Sequence, residues 1–419
     1  MFPDGDGVDL RFVSDALPMP NDGRSVLPHG LGRSYGDSCI DEGGVLLRTG
    51  GLDRALAFDA ERGVLRCEAG TSLEEVLRRF VPQGWFPPVV PGTQHVSVGG
   101  AIANDIHGKN HHLAGSFGCH VRRLELLRSD GSRIVCGPGD EWFGPTVGGL
   151  GLTGLITWAE IQLRRIPGPH IREEALAMEG LDDFVRLSKD SAGHEYTVAW
   201  IDSLATGKKV GRGVFLRGDH APPPHRPPRP PRRRLRIPID APGFALNPWT
   251  VAAFNAAYRW ARLAHASPRI VHYRPFFFPL DGVEDWNRLY GQRGFHQHQC
   301  LVPPGAIGAV QEILEEVGRS RQASFLTVLK KFGDVRSPGL LSFPGPGITL
   351  ALDIPHRGDK TLDLLRRMDR IVESAGGRLY PAKDAHMSRE TFQRGYPAWK
   401  ETERYRDPRF SSSFWRRVA

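Results

Sequence analysis

The segment Pro91–His112 constrains the fold of this chain more than any other, because it joins a Gly-Gly-Ala turn to a basic cluster. It reads PGTQHVSVGGAIANDIHGKNHH. Glycine lacks a Cβ and tolerates positive φ, so a glycine pair lets the main chain approach a ligand closely. The apolar run Ala101–Ala103 predicts the first turn of a packed helix, with backbone N–H groups facing an anion. His107 and Lys109 add positive charge just after it. Taken alone, the segment fits a phosphate-bearing redox cofactor and a surface loop equally well.

Two further glycine-rich segments favour the cofactor. Pro28–Ser38 reads PHGLGRSYGDS, and its glycines do not have the GxGxxG spacing of a dinucleotide-binding Rossmann unit. An apolar run at Gly43–Leu47 follows it instead of a helix, so we predict a loop between short strands. Gly139–Gly154 holds the third glycine cluster and leads into a strand pattern at Leu155–Ile166. Each loop alone is a weak signal, whereas three in this order are a strong one.

Length and composition agree with an enzyme of two domains. The chain has 419 residues, which is too long for one ordinary hydrophobic core. Hydrophobic residues make up 40% of it and aromatic residues 9%, which is enough to build two cores. Its five cysteines are odd in number and form no CxxC pair, so neither a disulfide framework nor a metal site is expected. The first residues lack the basic and apolar regions of a signal peptide, and no apolar run approaches the roughly 20 residues that span a bilayer. We expect a cytoplasmic protein, at most in peripheral contact with the inner face of the plasma membrane.

The net charge of +8 is concentrated in a Pro/Arg-rich segment within residues 219–240. The arginines of this segment are Arg226, Arg229, Arg232, Arg233, Arg234 and Arg236. Proline lacks a donor and like charges repel, which predicts a mobile, extended loop. A solvated insertion is the favoured reading, and an anion-seeking strip for lipid headgroups or nucleic acid is the alternative. The following segment, Ala245–Ala266, predicts an amphipathic helix that begins near Pro248, with Val251, Phe254 and Tyr258 on its apolar side. Such a helix either covers a core or meets a lipid-linked substrate.

The C-terminal half has a readable order of elements. Strands are predicted at Gln297–Val302, Phe325–Phe332, Ile348–Ile354 and Arg378–Tyr380, and helices at Gly305–Gly318 and from about Leu362 to Gly376. The order β-α-β-β-α-β predicts a ferredoxin-like antiparallel sheet with both helices on one face and the other face free to cover a site. Residues two apart share a face of a strand, which pairs Gln297 with Gln299 and Lys330 with Phe332.

The motifs GLGRSYGD, PGTQHVSVGGAIANDIHGKNHH, GSFGCHV and TVGGLGLTG resemble the FAD-binding half of the vanillyl-alcohol oxidase (PCMH-type) flavoproteins. Within them the chain is most similar to the decaprenylphosphoryl-ribose 2-oxidase-like group. YTVAWID, WNRLYG, FLTVLKKFG, LSFPGPG and RLYPAKD extend the resemblance over nearly the whole chain, and it is weakest at 219–266. It implies an α+β fold with a two-subdomain PCMH-type FAD-binding domain (1–168), a substrate or cap domain with an antiparallel sheet (169–377) and a C-terminal return to the FAD domain (378–419).

The resemblance also implies the site residues. FAD would be bound non-covalently, because relatives that tether it place a histidine after the second glycine of the first loop, where this chain has Arg33. The implied cofactor-binding residues are Pro28, His29, Gly30, Leu31, Gly32, Arg33, Ser34, Tyr35, Gly36, Asp37, Ser38, Gly92, Ser97, Val98, Gly99, Gly100, Asn104, Asp105, Ile106, His107, Ile156 and Tyr380. The implied substrate-binding residues are Trp200, Gln297, Gln299, Lys330, Phe332 and Lys383. Lys383 would stabilise the reduced ring or, with a pKa lowered by desolvation, act as a base, and His107 is the other candidate catalytic residue.

The implied reaction is FAD-dependent oxidation of a secondary alcohol of a sugar to a ketone by hydride transfer to flavin N5. Its substrate would be the 2-hydroxyl of a polyprenylphosphoryl pentose, as the first half of an epimerisation for cell-wall arabinan precursors that an NAD(P)H-dependent short-chain reductase completes. The chain departs from the group at Phe276–Phe278, His298, Thr349 and Ala351, where relatives carry tyrosine, tyrosine, asparagine and cysteine, so the pocket is altered. An alditol, aldose or aldonolactone oxidase acting on a free sugar is the alternative within the fold. A cofactor-free basic protein that binds nucleic acid or membrane is the alternative from another class, and the resemblance favours no nucleic-acid partner.

Overall fold

The computed structural model describes residues 6–12, 17–226, 235–242, 247–264, 268–322 and 324–419. Up to residue 168 the described chain forms a parallel sheet of order β1-β3-β2, an antiparallel sheet of order β4-β5-β9-β7-β8 and the short pair β6–β10. The strands are β1 (Gly7–Asp9), β2 (Val26–His29), β3 (Val45–Arg48), β4 (Ala55–Asp59), β5 (Val64–Glu68), β6 (Trp85–Phe86), β7 (Val121–Leu127), β8 (Arg133–Cys136), β9 (Leu155–Gln162) and β10 (Arg164–Arg165). The helices are α1 (Leu73–Phe80), α2 (Val98–Ala103), α3 (His111–Ala114) and α4 (Phe143–Thr146).

Local sequence accounts for the helices of this domain. The hydroxyl of Ser72 accepts a hydrogen bond from the N–H of Glu75, which caps α1. Ser97 caps α2 in the same way, and the predicted helical turn at Ala101 is confirmed by that helix. The glycine-rich segment Pro28–Ser38 connects β2 to β3, as predicted. The two main sheets and their helices therefore present three glycine-rich connections toward the rest of the chain.

The remainder of the chain builds a second domain around one antiparallel sheet of eight strands, in the order β15-β11-β13-β12-β18-β19-β17-β20. Its strands, with the short pair β14–β16, are β11 (His170–Met178), β12 (Tyr196–Ile201), β13 (Gly213–Ala221), β14 (Leu235–Arg236), β15 (Arg269–His272), β16 (Val283–Glu284), β17 (Phe295–Val302), β18 (Thr327–Phe332), β19 (Gly347–Pro355) and β20 (Arg378–Leu379). The helices are α5 (Leu181–Asp190), α6 (Pro248–Leu263), α7 (Tyr273–Phe277), α8 (Ile307–Ser320), α9 (Asp359–Ser374), α10 (Arg389–Gly395), α11 (Trp399–Glu403) and α12 (Ser413–Val418).

The C-terminal half of this sheet confirms the predicted ferredoxin-like arrangement. The elements follow the order β17-α8-β18-β19-α9-β20, and the strands pair antiparallel as β18-β19-β17-β20. Val310 of α8 and Leu364 of α9 are buried in one core with Leu350 and Leu352 of β19. Both helices therefore lie on one face of the sheet, and the fold class α+β is confirmed.

The N-terminal half of the sheet repeats the same strand order, which the sequence did not reveal. Strands β11, β12, β13 and β15 pair in the order β15-β11-β13-β12, and the two halves meet where Trp200 pairs with Val328. Phe184 of α5 packs in the core shared with α8 and α9, whereas α6 packs on the opposite face through Tyr258, whose ring centroid lies 4.7 Å from that of Trp200. Helix α6 of the N-terminal half thus lies on the side of the sheet that carries no helix in the C-terminal half.

Helix α6 starts at Pro248 as predicted, and the side chain of Asn247 caps it. Val251 is buried, but Phe254, which the pattern placed on the apolar side, is 44% exposed. The Pro/Arg-rich loop is shorter than 219–240, because residues 219–221 complete β13 and residues 235–236 form β14. Arg229, Arg232, Arg233 and Arg234 lie outside the described residues. None of the helices in the described ranges has the length and hydropathy that crossing a membrane requires.

The C-terminal return carries the chain back to the N-terminal domain. Strand β20, predicted as its start, still pairs with β17 of the large sheet, so the return begins after Leu379. Helix α12 packs against residues 37–39, which end the first glycine-rich loop. The last forty residues therefore bring Lys383 to the boundary between the two domains.

Candidate active site

A cleft of about 1410 Å³ lies between the N-terminal domain and the large sheet. Its N-terminal wall includes residues 30–35 and 91–93 together with Ser97, Gly99 and Gly100. Its other wall is the free face of the sheet, with side chains of β12, β17 and β18. Pockets for one small ligand usually measure about 300–1,000 Å³, so this cleft has room for a cofactor and a substrate together.

Most of the predicted site residues line this cleft, although they come from both ends of the sequence. They are Pro28, Gly30, Leu31, Gly32, Arg33, Ser34, Tyr35, Ser38, Gly92, Ser97, Gly99, Gly100, Asn104, Ile106, His107, Ile156, Trp200, Gln297, Gln299, Lys330, Tyr380 and Lys383. The predicted residues that do not line it are His29, Gly36, Asp37, Val98, Asp105 and Phe332.

These six residues support the wall from behind. The Nδ1 atom of His29 lies 3.0 Å from the carbonyl oxygen of Cys39. Val98 is fully buried in the core of the N-terminal domain. Gly36 packs so closely on the main chain of Asp384 that a Cβ at this position would overlap it. Phe332 was predicted to contact substrate but packs edge-on against His107, with ring centroids 4.8 Å apart, because its side chain is enclosed in an aromatic cluster.

The two carboxylates of the glycine-rich motifs are both turned away from the cleft. Asp37 forms an ion pair with Arg417 at 2.7 Å. Asp105 accepts hydrogen bonds from the hydroxyl of Ser342 at 2.6 Å and from the N–H of Gly118 at 2.7 Å. The glycine-rich segments therefore present main-chain N–H groups, hydroxyls and Arg33 to the cleft, which suits a diphosphate. The carboxylates that line the cleft, Asp240, Asp281, Glu284 and Asp285, come from the second domain.

Close packing requires glycine at the centre of this wall. A Cβ on Gly99 would lie 2.9 Å from the Cβ of Ala69, and one on Gly30 would overlap the hydroxyl of Ser97. Because glycine has no side chain, the main chain at Gly30 and Gly99 can pack directly on Ser97 and Ala69, which leaves room in the cleft for a cofactor such as FAD. The hydrogen-bond donors of this wall and its shape both fit FAD.

His107 is held in place by a hydrogen-bonded side chain from the opposite wall. The amide nitrogen of Gln299 lies 2.9 Å from Nε2 of His107 and 3.1 Å from the hydroxyl of Thr349. Burial lowers the pKa of His107 well below its usual value, and the charges of Lys330, His111 and Lys383 lower it further. His107 is therefore a neutral imidazole in a positively charged environment.

Lys383 ends a short helical turn directly after β20. Its Nζ lies 3.9 Å from the ring centroid of Tyr35, and it has no ion pair within the described ranges. Burial lowers the pKa of Lys383 to about 7, an effect that the carboxylate of Asp353 opposes and the charge of Lys330 reinforces. Near neutral pH this amine is therefore able to accept a proton.

Asp353 is a site residue that sequence reasoning missed. It is fully buried on β19 directly opposite Gln297, whose amide donates to its Oδ1 at 2.5 Å. Burial raises the pKa of Asp353 to about 7, and the hydrogen bond from Gln297 and the charge of Lys383 oppose that rise. Its sequence signal was a carboxylate at an inward-facing position of an otherwise apolar strand.

Two basic residues lie on the substrate side: Lys109, which the sequence indicated only as positive charge for a bound anion, and Arg262, which sequence reasoning missed. Lys109 donates a hydrogen bond from Nζ to the carbonyl oxygen of Phe277 at 3.2 Å, and Arg262 of α6 forms an ion pair with the buried Glu173 at 3.1 Å. Both line the cleft with Tyr258. Lys109 stands two positions after His107 in the glycine-rich motif, which was its available signal.

A cluster of charges joins the turn of Lys383 to the first glycine-rich loop. Arg417 forms ion pairs with Asp37 and, at 2.9 Å, with Asp384, and it also donates to the carbonyl of Met387. Asp384 accepts from the N–H groups of Met387 and His386. These contacts fix the position of the residue that follows Lys383.

Comparison with known proteins assigns the chain to a family. Residues 13–137 match the family model of an FAD binding domain. Over 414 aligned residues the chain is 35% identical to decaprenylphosphoryl-β-D-ribose oxidase of Mycolicibacterium smegmatis, with 94% of this chain and 89% of that protein covered. The chain belongs to the decaprenylphosphoryl-ribose oxidase family.

Other relatives agree with this family. An uncharacterised protein of Streptomyces coelicolor is 35% identical over 78% of this chain and 92% of its own length. An alditol oxidase of a Streptomyces species is 32% identical over 33% of this chain and 34% of its own length. As a member of the decaprenylphosphoryl-ribose oxidase family, the protein is an FAD-dependent oxidoreductase that acts on CH–OH donors. The alternative of a cofactor-free basic binding protein is therefore wrong.

Proposed function

We propose that this oxidase converts the 2-hydroxyl of a polyprenylphosphoryl pentose to a ketone. The observation that carries the proposal is the extent of the similarity, because the match to the decaprenylphosphoryl-ribose oxidase covers the substrate domain as well as the FAD domain. The match to the alditol oxidase covers only a third of the chain. Substrate choice depends on the large sheet, so the longer match is the relevant one.

The proposed roles of the residues follow from where they lie. The glycine-rich wall with Arg33 and Tyr35 holds FAD, which supplies the hydride acceptor when bound. Gln297 and Gln299 share the cleft face of β17 and bind sugar hydroxyls. Gln297 donates through the N–H that is not bonded to Asp353, and Gln299, whose amide nitrogen is engaged by His107 and Thr349, accepts through its amide oxygen.

Lys383 in its neutral form accepts the proton of the 2-hydroxyl while the carbon gives up its hydrogen as hydride and becomes a carbonyl. The ammonium group formed on Lys383 balances the negative charge that the cofactor gains. His107 orients Gln299 through the bond between their nitrogens.

The cofactor is proposed to be dissociable. Arg33 rather than histidine follows Gly32 in the first loop. The Sγ of Cys119 lies 3.5 Å from the carbonyl oxygen of Arg336, and Cys119 is not part of the cleft wall. Acid precipitation should therefore leave a colourless pellet and a yellow supernatant, and a yellow pellet would contradict the proposal.

The ketone is proposed as an intermediate in an epimerisation. An NAD(P)H-dependent short-chain reductase is needed to return hydride to the opposite face, which yields the epimeric pentose as a cell-wall precursor. The lipid part of such a substrate also requires access from a membrane surface. Trp249 and Trp260 of α6 are 85% and 73% exposed, and the arginine-rich segment precedes this helix. These features support peripheral membrane contact.

Anaerobic flavin reduction tests the proposed reaction. The yellow protein should bleach when mixed with farnesylphosphoryl ribose and stay yellow with xylitol or sorbitol. Addition of the reductase and NADPH should then yield the 2-epimer, detected by mass spectrometry after hydrolysis and derivatisation. Bleaching by free polyols but not by the prenylphosphoryl pentose would establish the alternative, an oxidase of free sugars. Flotation with anionic and with neutral vesicles tests membrane contact, for which binding to anionic vesicles alone is expected.

A further inference from the structure

We propose that Lys109 and Lys330 form a binding site for the phosphodiester of the substrate, separate from the wall that faces the FAD diphosphate. This inference rests on the proposed function for the identity of its ligand. The site itself follows from the placement of charges in the cleft.

The cleft contains lysines that have no counter-ion. The Nζ of Lys330 has no hydrogen bond or ion pair with any described residue, and the Nζ of Lys109 donates only to the carbonyl oxygen of Phe277. Arg262, the neighbouring cation of α6, differs from them because the carboxylate of Glu173 neutralises it. Both lysines line the cleft and are largely removed from solvent. Two buried amines in one cleft, neither of them ion-paired with a carboxylate, provide the donors and the charge that a bound anion completes.

The electrostatics of the two residues agree with this. Burial lowers the pKa of Lys330 to about 8. Burial also lowers the pKa of Lys109 to about 7; the charges of Lys330 and Arg262 add to that shift, and the carboxylate of Glu173 opposes it. A bound anion would reverse both shifts, because it stabilises the charged form of each amine. A neutral sugar hydroxyl cannot do so.

Strand pairing places Lys330 between two different surfaces. Lys330 lies directly opposite Thr349, which is hydrogen-bonded to Gln299 on the amide-bearing side. Two residues before it, Val328 pairs with Trp200 of β12 on the other side. The N–H of Thr197 on β12 donates to the carbonyl of Lys109 at 2.9 Å, which fixes Lys109 beside the same strand.

The sequence of surfaces across the sheet matches the covalent order of the proposed substrate. The amides of β17 suit a sugar, the two lysines suit a phosphate, and an apolar wall beyond them suits a prenyl chain. That wall consists of Val198, Trp200, Leu216, Val328 and Tyr258. In a polyprenylphosphoryl pentose the phosphate also lies between the sugar and the lipid. We therefore assign the phosphodiester to Lys109 and Lys330, with the first isoprene units against Trp200.

The test compares K109M and K330M with K331M. Lys331 is the next residue on β18 and is exposed, so K331M removes the same charge outside the cleft. A charge-assisted hydrogen bond contributes about 1.5–3 kcal/mol, so KM for farnesylphosphoryl ribose should rise about tenfold to a hundredfold in K109M. KM for the neutral farnesyl riboside should change less than threefold, and K109R should restore most of the loss. K331M should behave as the unaltered protein.

A second measurement needs no turnover. Inorganic phosphate should perturb the flavin absorbance of the holoenzyme and of K331M, whereas K109M and K330M should need at least tenfold more phosphate. An unperturbed spectrum in the unaltered holoenzyme would overturn the anion site, whatever substrate the enzyme oxidises. Equal losses for the phosphorylated and the neutral substrate in K109M would overturn the assignment to the phosphodiester. Failure of farnesylphosphoryl ribose to bleach the unaltered enzyme, with phosphate still bound at these lysines, would instead refute the proposed substrate alone.

Discussion

Replacement of Lys383 by arginine separates the two roles that a cation near the flavin can have. A lysine with the ordinary pKa of 10.4 is neutral in only about one molecule in 2,500 at pH 7. With its pKa lowered to about 7, Lys383 is neutral in about half of the molecules. Arginine keeps its proton at every pH at which the protein is folded. K383R therefore preserves the charge and removes the base.

We expect K383R to reduce flavin about 10³-fold more slowly than the unaltered enzyme, because general base catalysis contributes about 10²–10⁴-fold. K383M should be at least as slow. In the unaltered enzyme the rate constant of flavin reduction at saturating substrate should rise about tenfold per pH unit below pH 7 and become constant above pH 8, because only the neutral amine of Lys383 accepts a proton and Lys109 is then already paired with the substrate phosphate. His107 should not contribute a limb near pH 7, since its pKa lies well below 6.5.

The assay is anaerobic stopped-flow bleaching of the flavin by farnesylphosphoryl ribose between pH 5.5 and 9. The absorbance spectrum of each variant before mixing controls for loss of FAD. A K383R enzyme within tenfold of the unaltered rate would show that Lys383 acts through its charge alone. A rate of flavin reduction at saturating substrate that does not change between pH 6 and 8 would refute the role of its neutral form.

R417M should lower the melting temperature and release FAD at a lower temperature, because it leaves the carboxylate of Asp384, which is 3% exposed, without Arg417 at a cost of about 3 kcal/mol. Unchanged flavin-fluorescence melting curves would contradict this. From pH 7 to 8.5 Lys109 binds more protons in the unfolded chain than in the folded chain, so it makes the free energy of unfolding rise with pH by up to about 1 kcal/mol per pH unit. Thermal unfolding of K109M should therefore show a smaller increase of stability with pH than that of K331M, and equal increases would exclude the effect. G99A should lower the free energy of unfolding by about 1–3 kcal/mol, because the added methyl group would overlap Ala69. Urea unfolding measures the loss, and an unchanged midpoint would show that the two segments move apart without cost.

Short-range patterns were sufficient for the C-terminal half of the large sheet. Alternating apolar residues at Ile348 and Leu350 predicted a strand, and the pair Gly376-Gly377 marked the end of a helix. The order of these elements then determined the pairing. Such local signals failed for the N-terminal half, because α6 lies on the opposite face from α5 and follows the Pro/Arg-rich segment. Nothing in one segment indicates which face of a distant sheet it covers.

The site was predictable where a motif is contiguous. The glycine-rich loops and His107 were predicted because neighbouring residues define them, and Lys383 was predicted because the contiguous motif around it resembles the family. Asp353 was missed because its importance depends on the register that places it opposite Gln297. Arg417 was missed for the same reason, since its partners Asp37 and Asp384 are distant in sequence. Charged residues whose partners are non-local are invisible to periodicity, however central they are in the folded protein.

The position of Arg417 has a consequence for biosynthesis. A polypeptide leaves the ribosome from its N-terminus, so the loop that contains Asp37 emerges hundreds of residues before the guanidinium that pairs with it. During most of translation Asp37 therefore has no Arg417 to pair with, and the contacts between the two domains that depend on this ion pair cannot form. A message interrupted by a stop codon before position 417 would yield a product that lacks this closure even if every glycine-rich loop were present.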